Sequence, residues 1–172
     1  METKITSHIT KGLLLALVLI ILSVVSHLMK FDLESWFGWV NIIIFIAVII
    51  WAVILYGKQM DDNVTFGNLF AHGFKVTAVT ICIVFVFTVL SVYVLFPETI
   101  DQLMQKGIEE AKKQGKITDE QIQQGGDMMK KIITISILAG SLFINAVLGA
   151  IGSVIGAAVA KKNPQSPFQQ PM

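Results

Sequence analysis

Four long apolar segments, separated by polar ones, constrain the fold of this chain more than any other feature. They cover residues 12–29, 39–56, 74–96 and 132–160. An α-helix rises about 1.5 Å per residue, so such segments approach or exceed the roughly 30 Å hydrocarbon core of a bilayer. Because 54% of the residues are hydrophobic and only 15% are charged, the pattern predicts an all-α integral membrane protein with four transmembrane helices.

The first apolar segment is compatible with either a retained anchor or a secretory signal peptide. Its apolar run is longer than a usual signal core, and the following sequence SHLMKFD offers no small-x-small cleavage site. We therefore expect a retained span. The last segment, 132–160, is too long for one untilted span, so its first turns should project beyond the bilayer or the helix should tilt.

Between the third and fourth spans lies a polar segment, residues 97–131. The apolar residues that recur at helical spacing in its first half are Ile100, Leu103, Met104, Ile108 and Ala111. Gly115 is a suitable helix stop, and Thr118 with Gln121 fits a capping box that begins a second helix. The pattern predicts an extramembrane helical hairpin lying on lipid headgroups or on a partner, with a solvated charged loop as the alternative.

The ends and charges of the chain bear on its partners and orientation. All 13 basic residues are lysine, and the net charge is +1, which argues against nucleic-acid binding. The lysines divide almost equally between the two sides of the membrane. Lys4 and Lys11 precede the first span, whereas Lys30 after it is followed by acidic residues, so we expect both termini in the cytoplasm.

The tail, residues 163–172, is rich in proline and glutamine, and this composition predicts disorder.

Side chains that could carry chemistry are few. No Asp or Glu lies in the middle of a span, and His27 and Lys75 lie near span ends, where both can reach the interface. The histidines form no metal-binding motif; Asp61 and Asp62 near His72 would make at most a weak oxygen–nitrogen site, and a solvated loop is the preferred interpretation. We therefore predict no catalytic, cofactor-binding or metal residues.

The last span carries small and polar residues along one face of the helix. These residues are Ser141, Asn145, Gly149, Gly152, Ser153, Gly156 and Ala160. Gly152 and Gly156 have the GxxxG spacing, and Asn145 can form a hydrogen bond to a neighbouring helix. We call this set the glycine face and predict that it packs closely on another helix, within the chain or on another subunit; chance alignment is the alternative.

The stretch NVTFGNLFAHGFKVTAVT carries Phe66-Gly67, Phe70 and Gly73-Phe74, and Pro97-Glu98 follows the third span. This pattern resembles the small bacterial membrane family catalogued as domain-of-unknown-function family forty-one ninety-nine. The polar loop with TDEQ and the Gly-rich last span that ends on Lys161-Lys162 are similar too. The resemblance covers nearly the whole chain and implies four spans in a bacterial cytoplasmic membrane, with no activity attached.

Together these features favour a non-enzymatic integral membrane protein. We expect an accessory or scaffold subunit of a membrane complex that docks through the polar helical loop or the glycine face. The alternative is a small oligomeric transporter or channel. The expected partners are the lipid bilayer and another membrane protein or a second copy of this chain, with no nucleic acid and no cofactor.

Overall fold

The computed structural model describes residues 6–29, 36–115 and 119–162, and these ranges are helical without a strand. The helices are α1 (His8–Leu28), α2 (Trp36–Gln59), α3 (Phe66–Leu90), α4 (Glu98–Lys113) and α5 (Asp119–Val159), with a π-helical turn at Ser91–Leu95. The predicted all-α class is confirmed.

Four of these segments are long and apolar enough to cross a membrane. They are His8–Leu28, Gly38–Gln59, Phe66–Leu95 and Gly125–Val159. The predicted number of apolar helices is therefore confirmed, and the chain is a multi-pass integral membrane protein. The third helix begins at Phe66, well before residue 74, because the Thr65 hydroxyl caps it by accepting a hydrogen bond from the Asn68 amide at 3.3 Å.

The chain divides into two compact units. The bundle unit comprises residues 1–84 and 144–172, and the loop unit comprises residues 85–143. The bundle unit therefore holds α1, α2, most of α3 and the C-terminal part of α5 from Ile144. The loop unit holds the end of α3, the π-helical turn, α4 and the longer N-terminal part of α5, up to Phe143.

In the loop unit, α4 lies where the first helix of a hairpin was predicted. It ends at Lys113, and Gly115 follows with a φ of +66°, the left-handed conformation that glycine adopts most easily. A separate second arm is not confirmed, because α5 runs without interruption from Asp119 through Gly125-Gly126 into the last span. At 41 residues and about 1.5 Å per residue, α5 is about twice as long as the hydrocarbon core is thick.

In the bundle unit, two apolar clusters hold the helices together. One joins Leu15 of α1 to Phe45 and Ile49 of α2, with Leu148 of α5 packed against it. The other contains Val53, Val64, Leu69, Ala157 and Ala160 and therefore links α2, the α2–α3 connection, α3 and α5. Burying apolar side chains in this way gives these four helix segments a common core.

The connection between α2 and α3 is a tight turn. Asp61 and Asp62 have φ values of 53° and 58°, a conformation that aspartate tolerates better than most residues. The Asp62 amide donates to the Gly57 carbonyl at 2.9 Å, which closes the end of α2. The short turn places the last turn of α2 beside the first turns of α3.

Candidate functional site

A buried lysine lies in the first turns of α1. Only 3% of the Lys11 surface is exposed. Its Nζ donates a hydrogen bond to the Ala52 carbonyl at 3.2 Å and lies 3.2 Å from His72 Nε2 and 5.8 Å from the centre of the Tyr56 ring. Within the described ranges no carboxylate pairs with it. An ammonium group buried without a counter-ion is costly, so such a group is a candidate for function.

His72 on α3 connects this lysine to two other rings. It stacks on Tyr56 with ring centres 4.0 Å apart and planes 6° apart, and it meets His8 edge-on at 6.2 Å. Because an ammonium group can only donate, His72 Nε2 must accept from Lys11. The hydrogen-bond network therefore assigns a neutral ring with its proton on Nδ1.

Close approach of α1 to α3 brings Lys11 to His72. A methyl group at Gly12 would lie 2.8 Å from Val79 Cβ and 2.9 Å from the Val76 carbonyl oxygen, so only glycine fits at this crossing. The Thr80 hydroxyl lies 3.1 Å from the Gly12 carbonyl and 2.9 Å from that of Val76, and its single proton is shared between them. The sequence Lys11-Gly12 thus places a cation beside a helix contact that admits no side chain.

A pocket of about 270 Å³ opens next to these rings. Its lining residues are Thr6, Ser7, His8, Tyr56, Asn68, Ala71, His72 and Lys75. The segment before α1 is fastened there by a reciprocal pair, in which the Thr6 amide donates to Gln59 Oε1 at 3.2 Å and Gln59 Nε2 donates to Thr6 Oγ1 at 2.9 Å. Among the described residues the lining includes hydroxyl, amide, imidazole and ammonium groups and no carboxylate.

The structure places most of the glycine face against helices of the same chain. Gly149 lies against Thr77 of α3, and Gly152 and Gly156 lie against Ile49 and Val53 of α2. Ser153 and Ala160 are also buried, with 0% and 5% of their surfaces exposed. Ser153 donates its hydroxyl to the Gly149 carbonyl at 2.7 Å. These five residues therefore have neighbours within the bundle unit.

The other predicted residues are placed differently. Ser141, in the loop unit, is half-buried and donates to the Leu138 carbonyl of its own helix at 2.9 Å, and Asn145 is half-buried with a partner of its own. Thr118 lies outside the described residues, as does the side chain of Gln121, so the capping box stays a prediction. In the parts of the chain that are described, no group of three or more His, Cys, Asp or Glu side chains could hold a metal ion.

Sequence reasoning treated Lys11 as a flanking residue and missed its contact with His72. A signal was present, since four alternating spans put the start of α1, the end of α2 and the start of α3 on one side of the membrane. Lys11, Tyr56 and His72 lie at these three positions. Their contact depends on how each helix is rotated about its axis, which span counting does not reveal.

Comparison with protein families adds the identity. A family model described as "Protein of unknown function (DUF4199)" matches residues 10–162. The chain belongs to the DUF4199 family. This match confirms the resemblance found in the sequence, and it covers every residue of the Lys11, Tyr56 and His72 cluster. Neither the comparison with curated proteins nor the comparison with solved structures produced a match.

Proposed function

We propose that this DUF4199 protein is a non-enzymatic accessory or scaffold subunit of a membrane complex. In this proposal it lies in a bacterial cytoplasmic membrane with both termini in the cytoplasm. Four apolar helices and the family match support a membrane location. Lys4 before α1, Lys11 in its first turns and the acidic residues after the helix support the orientation.

The exposed face of α4 is the docking surface that we favour. The apolar residue Ile100 on the opposite face is only 2% exposed, and Lys130 of α5 donates to Asp101 of α4 at 2.7 Å. These contacts hold the helix in one orientation. Its exposed residues then form a mixed polar face that includes Gln105, Glu109, Glu110 and Lys113. The glycine face is the weaker candidate, because helices of the same chain already cover much of it.

Gentle detergent extraction tests this docking surface. We expect the wild-type protein to purify in a stoichiometric complex with a larger membrane assembly, measured by light scattering and mass spectrometry. The double substitution Glu109→Lys with Glu110→Lys should release it, since a reversed charge pattern opposes the original partner. Lys58→Glu, an exposed charge reversal on α2, is the control and should leave the complex intact. A complex that survives the double substitution contradicts docking through α4.

A small oligomeric transporter or channel is the second candidate. The observation that favours it is Lys11, since ionisable side chains inside membrane helices often mark a path for an ion or substrate. Reconstitution in liposomes separates the two functions. A pure homo-oligomer that conducts ions or transports a solute, with loss of that activity in Lys11→Met, would support this second function and contradict the accessory role.

A further inference from the structure

We propose that the pocket between α1, α2 and α3 binds the phosphate group of an anionic ligand. This group belongs either to a phospholipid headgroup or to a small phosphate compound in solution. The proposal concerns a ligand site in the bundle unit and goes beyond the accessory role, which was argued from the exposed face of α4.

Uncompensated positive charge is the first reason. Lys11 is buried behind His72 and Tyr56, and Lys75 lies on the pocket wall itself. Neither the wall nor the surroundings of Lys11 supply a carboxylate among the described residues. Buried charges in proteins are normally paired, so a bound anion is the missing counterpart.

The chemistry of the wall is the second reason. Hydroxyl groups of Thr6 and Ser7, the Asn68 amide and the Lys75 ammonium can all donate hydrogen bonds, and phosphate oxygens accept them. His72 adds an imidazole N–H, since Lys11 occupies its Nε2 and no described residue accepts from Nδ1. The hydrogen bond from Lys11 polarises the ring and makes that second donor stronger.

Rigidity and size are the third reason. The reciprocal Thr6–Gln59 pair, the Ser7 cap of α1 and the stacking of Tyr56 on His72 hold the wall in place without a ligand. At about 270 Å³ the pocket is slightly smaller than most ligand sites, which suits one headgroup or a small anion. It lies where three apolar helices begin or end, a position that a lipid headgroup can reach.

Thermal unfolding of the full-length protein in a neutral detergent tests the proposal. The probes are inorganic phosphate and dioctanoyl phosphatidic acid, each titrated at constant ionic strength, with chloride as the reference anion. A ligand that binds only the folded protein raises the melting temperature in a saturable manner. Native mass spectrometry of the same preparation, before any addition, detects phospholipid that has co-purified.

The decisive variant is Lys75→Glu, because Lys75 is exposed and its substitution should not affect folding. Losing one charged hydrogen bond and adding repulsion should weaken binding about tenfold or more. Lys161→Glu makes the same charge change at an exposed position that does not line the pocket and should bind as wild type does.

Each outcome bears on the proposal. Binding of both probes that Lys75→Glu weakens supports the site with free phosphate as a sufficient ligand. If only the lipid binds or co-purifies, and Lys75→Glu abolishes this, the site is supported and a lipid headgroup supplies the phosphate group. The proposal is overturned if neither probe binds and no phospholipid is retained. It is also overturned if Lys75→Glu and Lys161→Glu weaken binding equally. Loss of the membrane complex through α4 would not produce any of these results, so the two proposals fail separately.

Discussion

Adding one methyl group at each glycine of the GxxxG pair should give two different results. At Gly156 a Cβ atom would lie 2.9 Å from Val53 Cβ and 3.2 Å from Ile50 Cα, which belongs to the backbone of α2. At Gly152 the nearest atoms would be Ile49 Cγ2 at 3.2 Å and Ile49 Cβ at 3.3 Å. Carbon atoms prefer separations of about 3.5–4.0 Å, so Gly156→Ala must push α5 from α2, whereas Gly152→Ala needs a smaller shift.

The expected magnitudes follow from two opposing terms. Overpacking a tight core costs about 1–3 kcal/mol. Replacing glycine by alanine inside a helix stabilises it by up to about 1 kcal/mol in water. Gly156→Ala should therefore destabilise the protein by about 1–2 kcal/mol, and Gly152→Ala should stay within about 0.5 kcal/mol of wild type. Isoleucine at either position should be more damaging, because its branched side chain has no space.

Equilibrium unfolding in a mild detergent measures these differences. Val154→Ile is the matched control, since Val154 lies on the same helix with 46% of its surface exposed, and we expect a change within about 0.5 kcal/mol. The reasoning is refuted if Gly156→Ala is as stable as Gly152→Ala, or if both isoleucine variants unfold as wild type does.

Three further results are expected. Lys11→Met should be as stable as wild type or up to about 2 kcal/mol more stable in neutral detergent, because removing a buried charge offsets the lost hydrogen bonds. A loss of more than about 3 kcal/mol in the free energy of chemical unfolding would contradict this expectation. Thr80→Val should lower the free energy of unfolding by about 0.5–1 kcal/mol in the same assay, because the hydrogen bond to the Gly12 carbonyl is lost. Thr134→Val should cost less, because the Thr134 hydroxyl donates to the Lys130 carbonyl of its own helix. Equal costs would indicate that the hydrogen bond between α3 and α1 does not stabilise the protein. Limited trypsin digestion of intact membranes should cut at Lys113, where α4 ends, before Lys106 inside it, and equal rates would indicate that α4 is not a stable helix.

The four apolar helices could be predicted from the sequence because the membrane sets a minimum length for an apolar run. The beginning of α3 could not be found in this way, since Asn68 and His72 give its first turns the composition of a loop. The capping residue Thr65 was the better indicator of that boundary.

The second arm of the predicted hairpin is not confirmed as a separate helix, and the physical reason is a different one. Two consecutive glycines such as Gly125-Gly126 disfavour a continuous helix, yet the structure continues the helix through both residues. Glycine lowers helix propensity by only about 1 kcal/mol per residue, and strongly helical segments on both sides can compensate. The position of α4 was easier to predict, because its apolar stripe has helical spacing and Gly115 takes the positive φ that ends it.

The candidate site was harder to predict than the fold. Sequence patterns place Lys11, Tyr56 and His72 near helix ends on one side of the membrane. The 3.2 Å between Lys11 Nζ and His72 Nε2 and the 4.0 Å between the Tyr56 and His72 ring centres depend on how each helix is rotated about its axis. That rotation is set by contacts such as Gly12 on Val79, which connect residues far apart in the chain.

Site-specific labelling combined with terminal reporters measures most directly whether the chain crosses the membrane four times. In a Cys82→Ser background, which removes the exposed free thiol, single cysteines are introduced by Lys58→Cys and Lys113→Cys and probed with an impermeant maleimide. Reporter fusions at Met1 and Met172 give the sides of the termini. Four crossings predict that both termini and residue 58 share one side and that residue 113 lies on the other. With the proposed orientation, only residue 113 is labelled from outside. Termini on opposite sides, or labelling of both cysteines from one side, would contradict four crossings.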